Sequence, residues 1–269
     1  MKRSDRFLDI LKGLFPHRFL FARLTKLPLV GDVIDKIFFE EDYMMYLPKD
    51  EVIDLNIEAE KPDNIVLPSQ VVEHFIKEAD FRFKMDFCIC RRSNGCEDYP
   101  IEYGCLFLGE AAKSIDPELG RELTEEEAIR YVKKTREAGL VHLIGRNKLD
   151  PVWLNVRPGE KLLTICNCCP CCCLWKMLVD LREDIGGKIH RMPGVKVEVL
   201  DSCTACGNCL DICFIDAITI EDGKAVISDE CRGCGRCVEV CPNDAIEITI
   251  DDELYNRSVE NIEGKIDLS

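Results

Sequence analysis

The chain has 269 residues, 50 acidic against 35 basic side chains for a net charge of −15, and 18 cysteines. This length accommodates two domains with cores of their own, and so negative a balance excludes nucleic acid as a natural partner, since a phosphate backbone would repel it. Eighteen thiols, with no apolar leader ending in small residues, predict a reducing cytoplasm and metal ligands in place of disulfides; no apolar run approaches the ~20 residues that span a bilayer.

Residues 1–40 read as a basic amphipathic segment. Phe7, Leu8, Ile10, Leu11, Leu14 and Phe15 approximate helical spacing, Phe19, Leu20, Phe21, Leu24, Leu27 and Leu29 follow, and then come Val33, Ile34, Ile37 and Phe38. Pro16, Pro28 and Gly31 cut these into short pieces. Eight Lys and Arg stand against four Asp and Glu between Lys2 and Lys36. Such a segment lies on a membrane surface or docks on a partner. The alternative is that the stripe packs on the chain's own core. The expectation is peripheral docking through residues 1–39, on a redox partner protein or at the inner face of the membrane.

Residues 41–192 read as a cysteine-rich domain. Beyond an irregular stretch punctuated by Pro48, Pro62 and Pro68, residues 69–80 predict a helix with Val72, Phe75, Ile76 and Ala79 on one face and a structural His74. Residues 81–87 predict a strand. CICRRSNGCEDYPIEYGC then places Cys88, Cys90, Cys96 and Cys105 within eighteen residues. In an extended strand Cys88 and Cys90 project to one side, and Gly95 and Gly104 precede the other two as turn residues. Arg91 and Arg92 lower thiolate pKa values and offset the charge of a cluster. Four thiols on one loop suit one cubane or one tetrahedral zinc.

A capping box, TEEE at residues 124–127, opens a helix that runs through Ala138 and stops at Gly139. Residues 140–144, 152–156 and 161–166 predict strands, separated by GRNKLDP and RPGE turns. A helix followed by a hairpin is also the outline of a winged helix, which in so acidic a chain is scaffold. Next comes ICNCCPCCCLWKM, with Cys166, Cys168, Cys169, Cys171, Cys172 and Cys173. Neighbouring side chains in a strand face opposite ways, so six such thiols reach one small centre only through a tight loop, and Pro170 breaks any regular element. Leu174, Met177, Leu178 and Leu181 mark a helix face, which puts the CCC run at a helix N-terminus where thiolates are favoured. Six cysteines in eight residues are too dense for inert core filler. Iron is favoured over zinc for these ten thiols, with one or two further iron–sulfur clusters expected and zinc as the alternative.

Residues 193–252 carry the most specific signal. CTACGNCLDIC places Cys203, Cys206, Cys209 and Cys213, and CRGCGRCVEVCP places Cys231, Cys234, Cys237 and Cys241, so the second unit repeats the first 28 residues later. Three thiolates two residues apart wrap one face of a cubane, and Gly207, Gly233 and Gly235 let the backbone approach. The fourth cysteine of each unit points away from its own loop to the other cluster, giving Cys203, Cys206, Cys209 and Cys241 on one cluster and Cys231, Cys234, Cys237 and Cys213 on the other. Structural zinc fits poorly, because zinc sites use two separated CxxC pairs. From Pro193 onward 17 acidic residues face 6 basic ones, and residues 253–269 read as an acidic tail.

This stretch closely resembles the two-cluster bacterial and archaeal ferredoxins, with Pro242 after the second set and Phe214 in place of the proline after the first. The resemblance implies two [4Fe-4S] clusters, a pseudo-twofold fold of hairpins and short helices, and low-potential electron transfer. Together with CxCR, the EAGLVH helix end and CNCCxCCC, residues 43–250 resemble a family of iron–sulfur proteins of anaerobic bacteria and archaea that has no assigned reaction. The expected fold is α+β: an N-terminal cysteine-rich helix-plus-hairpin domain followed by a ferredoxin-like domain.

Three functions fit this reading. The first is an electron-transfer protein that passes electrons between a donor and a partner redox enzyme. The second is an oxidoreductase whose N-terminal centre reduces a thiol, a disulfide or a cofactor. The third is a metal or cluster delivery protein with a labile CNCCPCCC loop. GxGxxG and GxxxxGK are absent, so no nucleotide fingerprint accompanies the thiols.

Overall fold

In the computed structural model, which describes residues 9–10, 12–53, 67–251 and 253–268, strict alternation of side chains builds a mixed seven-stranded sheet. In chain order the elements are helices α1 (Arg18–Leu24) and α2 (Val30–Phe38), strand β1 (Tyr43–Tyr46), α3 (Pro68–Glu78), β2 (Arg82–Met85), α4 (Ile89–Asn94), β3 (Leu106–Leu108), β4 (Gly120–Glu122), α5 (Glu125–Glu137), β5 (Val141–Arg146), α6 (Leu149–Leu154), β6 (Leu163–Cys168), α7 (Glu183–Gly186) and β7 (Ile189–Arg191). The last third adds β8 (Lys196–Val199), α8 (Asn208–Ile212), β9 (Ile218–Glu221), β10 (Lys224–Ile227), α9 (Arg236–Glu239), β11 (Ile246–Thr249) and α10 (Leu254–Glu263). The fold is α+β. Its main sheet runs β4-β2-β3-β6-β5-β1-β7, antiparallel except where β1 meets β7.

The period of two decides what each face of the sheet carries. Met45, Leu106, Leu108, Ile144, Leu163 and Ile165 enter one core, beneath α3, α5 and α10. Met44, Tyr46, Leu143 and Cys168 enter the core on the opposite face, against α1, α2 and the 3₁₀ turn Leu174–Asp180. Along β6 the consequence is direct: Cys166 and Cys168 share the second face, while Asn167 between them turns to the first and hydrogen-bonds Thr135 and the Gly104 carbonyl.

Helices α3 and α5 form where periodicity and capping place them. Val72, Phe75, Ile76 and Ala79 are buried, and Thr124 and Glu127 exchange the two hydrogen bonds of a capping box, 3.3 and 3.0 Å long. Residues 152–156 are not a strand. The Asn147 side chain accepts from the Asp150 amide at 2.9 Å and Pro151 sits in the first turn, so α6 forms instead. Residues 88–90 are not extended either, because the Arg92 amide bonds the Cys88 carbonyl at 2.9 Å and starts α4, which stops at left-handed Gly95. The β5–β6 pair lies at the centre of the sheet, so no winged helix forms. Residues 253–268, read as a tail, contain α10, which buries Leu254, Val259 and Ile262 against the first core. Phe7, Leu8 and Leu11 of the N-terminal stripe, with Lys2, Arg3, Arg6 and the stretch around Pro62, lie outside the described residues.

Asp42, just before β1, is buried; its Oδ1 accepts from the Lys148 amide at 2.6 Å and its Oδ2 has no partner among the described residues. Burial pushes its carboxyl up to about 7, from an ordinary value of 3.8. The folded chain therefore holds a proton that the unfolded chain releases, and stability is lost as pH rises through this window at about 1.4 kcal/mol per unit. Asp42→Asn keeps the accepted hydrogen bond and removes the charge. Its melting temperature exceeds the parent's at pH 8 and the margin narrows toward pH 5; an equal margin at both would show that another group titrates.

Candidate metal centres

The C-terminal third repeats its backbone as well as its cysteines. Gly207 and Gly235 take left-handed conformations, φ 86° and 82°, and cap α8 and α9. Asp216 and Asp244 do the same at φ 51° and 47°. The Ala217 amide donates to Cys213 Sγ at 3.3 Å, and the Ala245 amide to Cys241 Sγ at 3.2 Å, the equivalent bond one repeat later. β8 pairs with β11 and β9 with β10, so strands of the two units interleave.

This topology sorts the eight thiols into two groups. Cys203, Cys206, Cys209 and Cys241 line one cavity, floored by Ala225, Ala245 and Ile246. The Ala225 amide donates to Cys203 Sγ at 3.4 Å, and Cys206 is exposed. Cys213, Cys231, Cys234 and Cys237 form the other group, in a drier place: burial pushes the Cys234 thiol up to about 11, and burial with the charges of Cys234, Cys231 and Cys213 raises Cys237. The Gly233 amide donates to Cys231 Sγ at 3.4 Å. Backbone N–H groups aimed at sulfur, around cavities of small side chains, suit anionic iron–sulfur clusters.

The ten N-terminal cysteines do not divide as they follow in sequence. Cys96 leaves the other three of its motif and meets Cys169, Cys171 and Cys172, all four sulfurs lying within 4.8 Å of one another. Cys88, Cys90, Cys105, Cys166, Cys168 and Cys173 instead line an adjoining cavity of about 410 Å³, whose wall Cys169 of the first group also reaches. The β3–β6 register sets Leu106 opposite Ile165 and so brings Cys105 Sγ to 3.7 Å from Cys166 Sγ. Cys173 Sγ donates to Cys168 Sγ at 3.4 Å. Hydrogen bonds from Cys166 and Cys173, helped by Arg236 and Arg91, hold Cys168 well below the usual thiol range, and a hydrogen bond from Cys90 brings Cys88 down to about 7. Leu14, Phe15, Phe38, Leu149, Trp153 and Trp175 make the remaining wall apolar.

Three arginines serve these sulfurs. Arg91 is fully buried between the two N-terminal groups; its Nη1 donates to the Asn167 carbonyl at 2.8 Å and its Nη2 to the Tyr103 carbonyl. Arg236, between Cys234 and Cys237 in sequence, donates to the Cys168 carbonyl at 2.5 Å and ties the duplicated unit to the six-thiol cavity. Arg18 lies over the rings of Phe15 and Phe19, within the field of Cys90 and Cys173. Tyr46 closes the junction, its hydroxyl 3.7 Å from Cys173 Sγ and its ring 5.0 Å from that of Phe214, the neighbour of Cys213. Arg91 was legible as a cation beside thiols, and Arg236 had the signal of standing inside CRGCGRC. Arg18 and Tyr46 had none, because their partners are remote in sequence.

A family model described as the LdpA Fe-S cluster-binding domain matches residues 209–251, six of the eight cysteines of the duplicated motif. No curated protein and no solved structure matches the chain. The chain carries an iron–sulfur cluster-binding domain. Among the described residues no helix is long and apolar enough to cross a membrane.

Replacing Arg91 with Met keeps the volume but leaves the Asn167 and Tyr103 carbonyls buried without a donor. Arg91→Met is expected to lose about 3 kcal/mol of stability. Any metal held by the N-terminal thiols is expected to fall with it, while iron bound by the duplicated motif persists. Unchanged melting and iron content would mean that water replaces the guanidinium.

Proposed function

We propose that this protein passes low-potential electrons between a donor and a partner redox enzyme. Two [4Fe-4S] clusters serve that role, one on Cys203, Cys206, Cys209 and Cys241 and the other on Cys231, Cys234, Cys237 and Cys213. The observation that carries the reading is the sorting of the duplicated motif: four thiols, three from one unit and one from the other, line a single cavity. The match to a cluster-binding family over residues 209–251 supports it. A further iron–sulfur centre belongs in the cavity of Cys88, Cys90, Cys105, Cys166, Cys168 and Cys173, adjacent to the second cluster through Tyr46 and Arg236. Anaerobically purified protein is expected to show distinct reduced EPR signals from these centres. Cys206→Ser alters one signal, Cys234→Ser a second, and Cys105→Ser removes iron without touching either. Zinc in place of iron at the duplicated motif would end this reading.

A second reading has its own observation. The apolar cavity beside the six thiols has room for a small substrate, which favours an oxidoreductase reducing a thiol, disulfide or cofactor at that centre. Under it, Val152→Trp, which narrows the cavity from an exposed rim position, slows oxidation of the reduced protein by small disulfides. Oxidation by an added protein acceptor keeps its rate.

The N-terminal segment, on the same proposal, docks the protein. Its helices and the turn between them bury Ala22 and Ile34 yet leave Leu20, Leu27, Leu29, Val33 and Ile37 exposed. Leu29 is 79% exposed in a left-handed conformation, φ 65°, held out by a turn so tight that a Cβ on Gly31 would strike the Thr25 carbonyl. Five exposed apolar side chains on so short a segment suit a docking surface. Leu20→Gln, Leu29→Gln and Val33→Gln together leave iron content unchanged and weaken association. Flotation with anionic vesicles that the triple variant loses identifies a membrane; co-purification of a redox enzyme that it loses identifies a partner. Parent protein that neither floats nor co-purifies ends the docking role.

A further inference from the structure

We infer that Cys96, Cys169, Cys171 and Cys172 hold one zinc ion, a centre different in kind from every iron–sulfur cluster in the chain. The inference goes beyond the electron-transfer reading. It starts from distance: the four sulfurs lie within 4.8 Å of one another, and Cys96 Sγ stands 3.5 Å from Cys171 Sγ. Four thiolates around zinc at about 2.3 Å make a tetrahedron about 3.8 Å on edge. A cubane carries its irons at the corners of a tetrahedron of their own and spreads its thiolates well over half as wide again. Among the described residues no other set of three or more cysteine, histidine or carboxylate side chains converges so closely, the six-thiol cavity included.

The surroundings describe a closed site. Cys169 and Cys172 are buried, and Leu140, Tyr99 and Tyr103 pack around them. The Cys172 amide donates to Cys169 Sγ at 3.4 Å, and Asn94 ties the loop to α4 through the Cys172 and Cys90 carbonyls. Four protein ligands with no open position are the pattern of a structural ion. Arg91 supplies positive charge beside Cys169. The loop around Pro170 that meets Cys96 has Cys168 before it and Cys173 after it, both of which line the six-thiol cavity.

The test uses the full chain, purified anaerobically from medium containing both metals. Elemental analysis is expected to give about one zinc per chain, with four sulfur neighbours at about 2.3 Å in zinc X-ray absorption. Cys96→Ser and Cys171→Ser lower zinc about fivefold while iron content and the reduced EPR signals stay at the parent level. Cys105→Ser does the reverse, losing iron and keeping zinc. Parent protein without zinc, or with zinc bound to nitrogen or oxygen, overturns the inference, and this measurement stands even if the serine variants misfold. Loss of iron from Cys96→Ser in proportion to its zinc also overturns it. Failure of the electron-transfer reading would appear instead in the iron and EPR measurements alone.

Discussion

Anionic sulfur gathered inside a protein has to be balanced by charge that is buried with it, and the architecture depends on that constraint. An unpaired charge in a low-dielectric interior costs several kcal/mol, far more than one packing contact returns. Arg91, Arg236 and Arg18 meet this need from three different elements: α4, α9 and α1. Arg91 and Arg236 spend their donors on backbone carbonyls, Arg91 on Asn167 and Tyr103 and Arg236 on Cys168, so both guanidinium groups are tied to the strand that carries Cys166 and Cys168. Lysine carries its three donors on one compact nitrogen and lacks the planar fork that reaches two separated carbonyls.

Strand β6 is where these demands meet. Its alternation sends Leu163 and Ile165 into an ordinary apolar core and Cys166 and Cys168 to the opposite face. Asn167, which falls on the apolar face, is satisfied by Thr135 and Gly104 instead of being left unpaired. A slip of one residue would exchange the two faces, burying thiols in the aliphatic core and asparagine in the thiol cavity. Pairing on both sides, to β3 and β5, holds the register.

The sequence was legible where structure is local. The capping box at Thr124 is set within a few residues and forms as read, and Gly207 and Gly235, expected to let the backbone approach, take left-handed conformations. The helical period that gave α3 also predicted its buried face. What sequence spacing did not reveal is the sorting of the ten N-terminal thiols, because that is decided by sheet register. Cys105 meets Cys166 across 61 residues and Cys96 meets Cys171 across 75, and no local pattern encodes either. The misread strand at residues 152–156 has a different cause. Apolar alternation there is overruled by Asn147, Asp150 and Pro151, whose capping and turn preferences start a helix before the strand pattern begins.

Exposure and charge then give the molecule a direction. Cys206 reaches the surface at the acidic C-terminal end, whereas in the second group of four Cys237 is buried and Cys213, Cys231 and Cys234 are half-buried. From there Phe214, Tyr46 and Arg236 lead without a gap to Cys173 and Cys168. The six-thiol cavity lies beyond, walled on its far side by Leu14, Phe15 and Phe38 of the N-terminal segment, the same segment that turns its other apolar side chains outward. On the proposed reading, a partner that engages that segment would press on the wall of the cavity and so come close to the thiols within it.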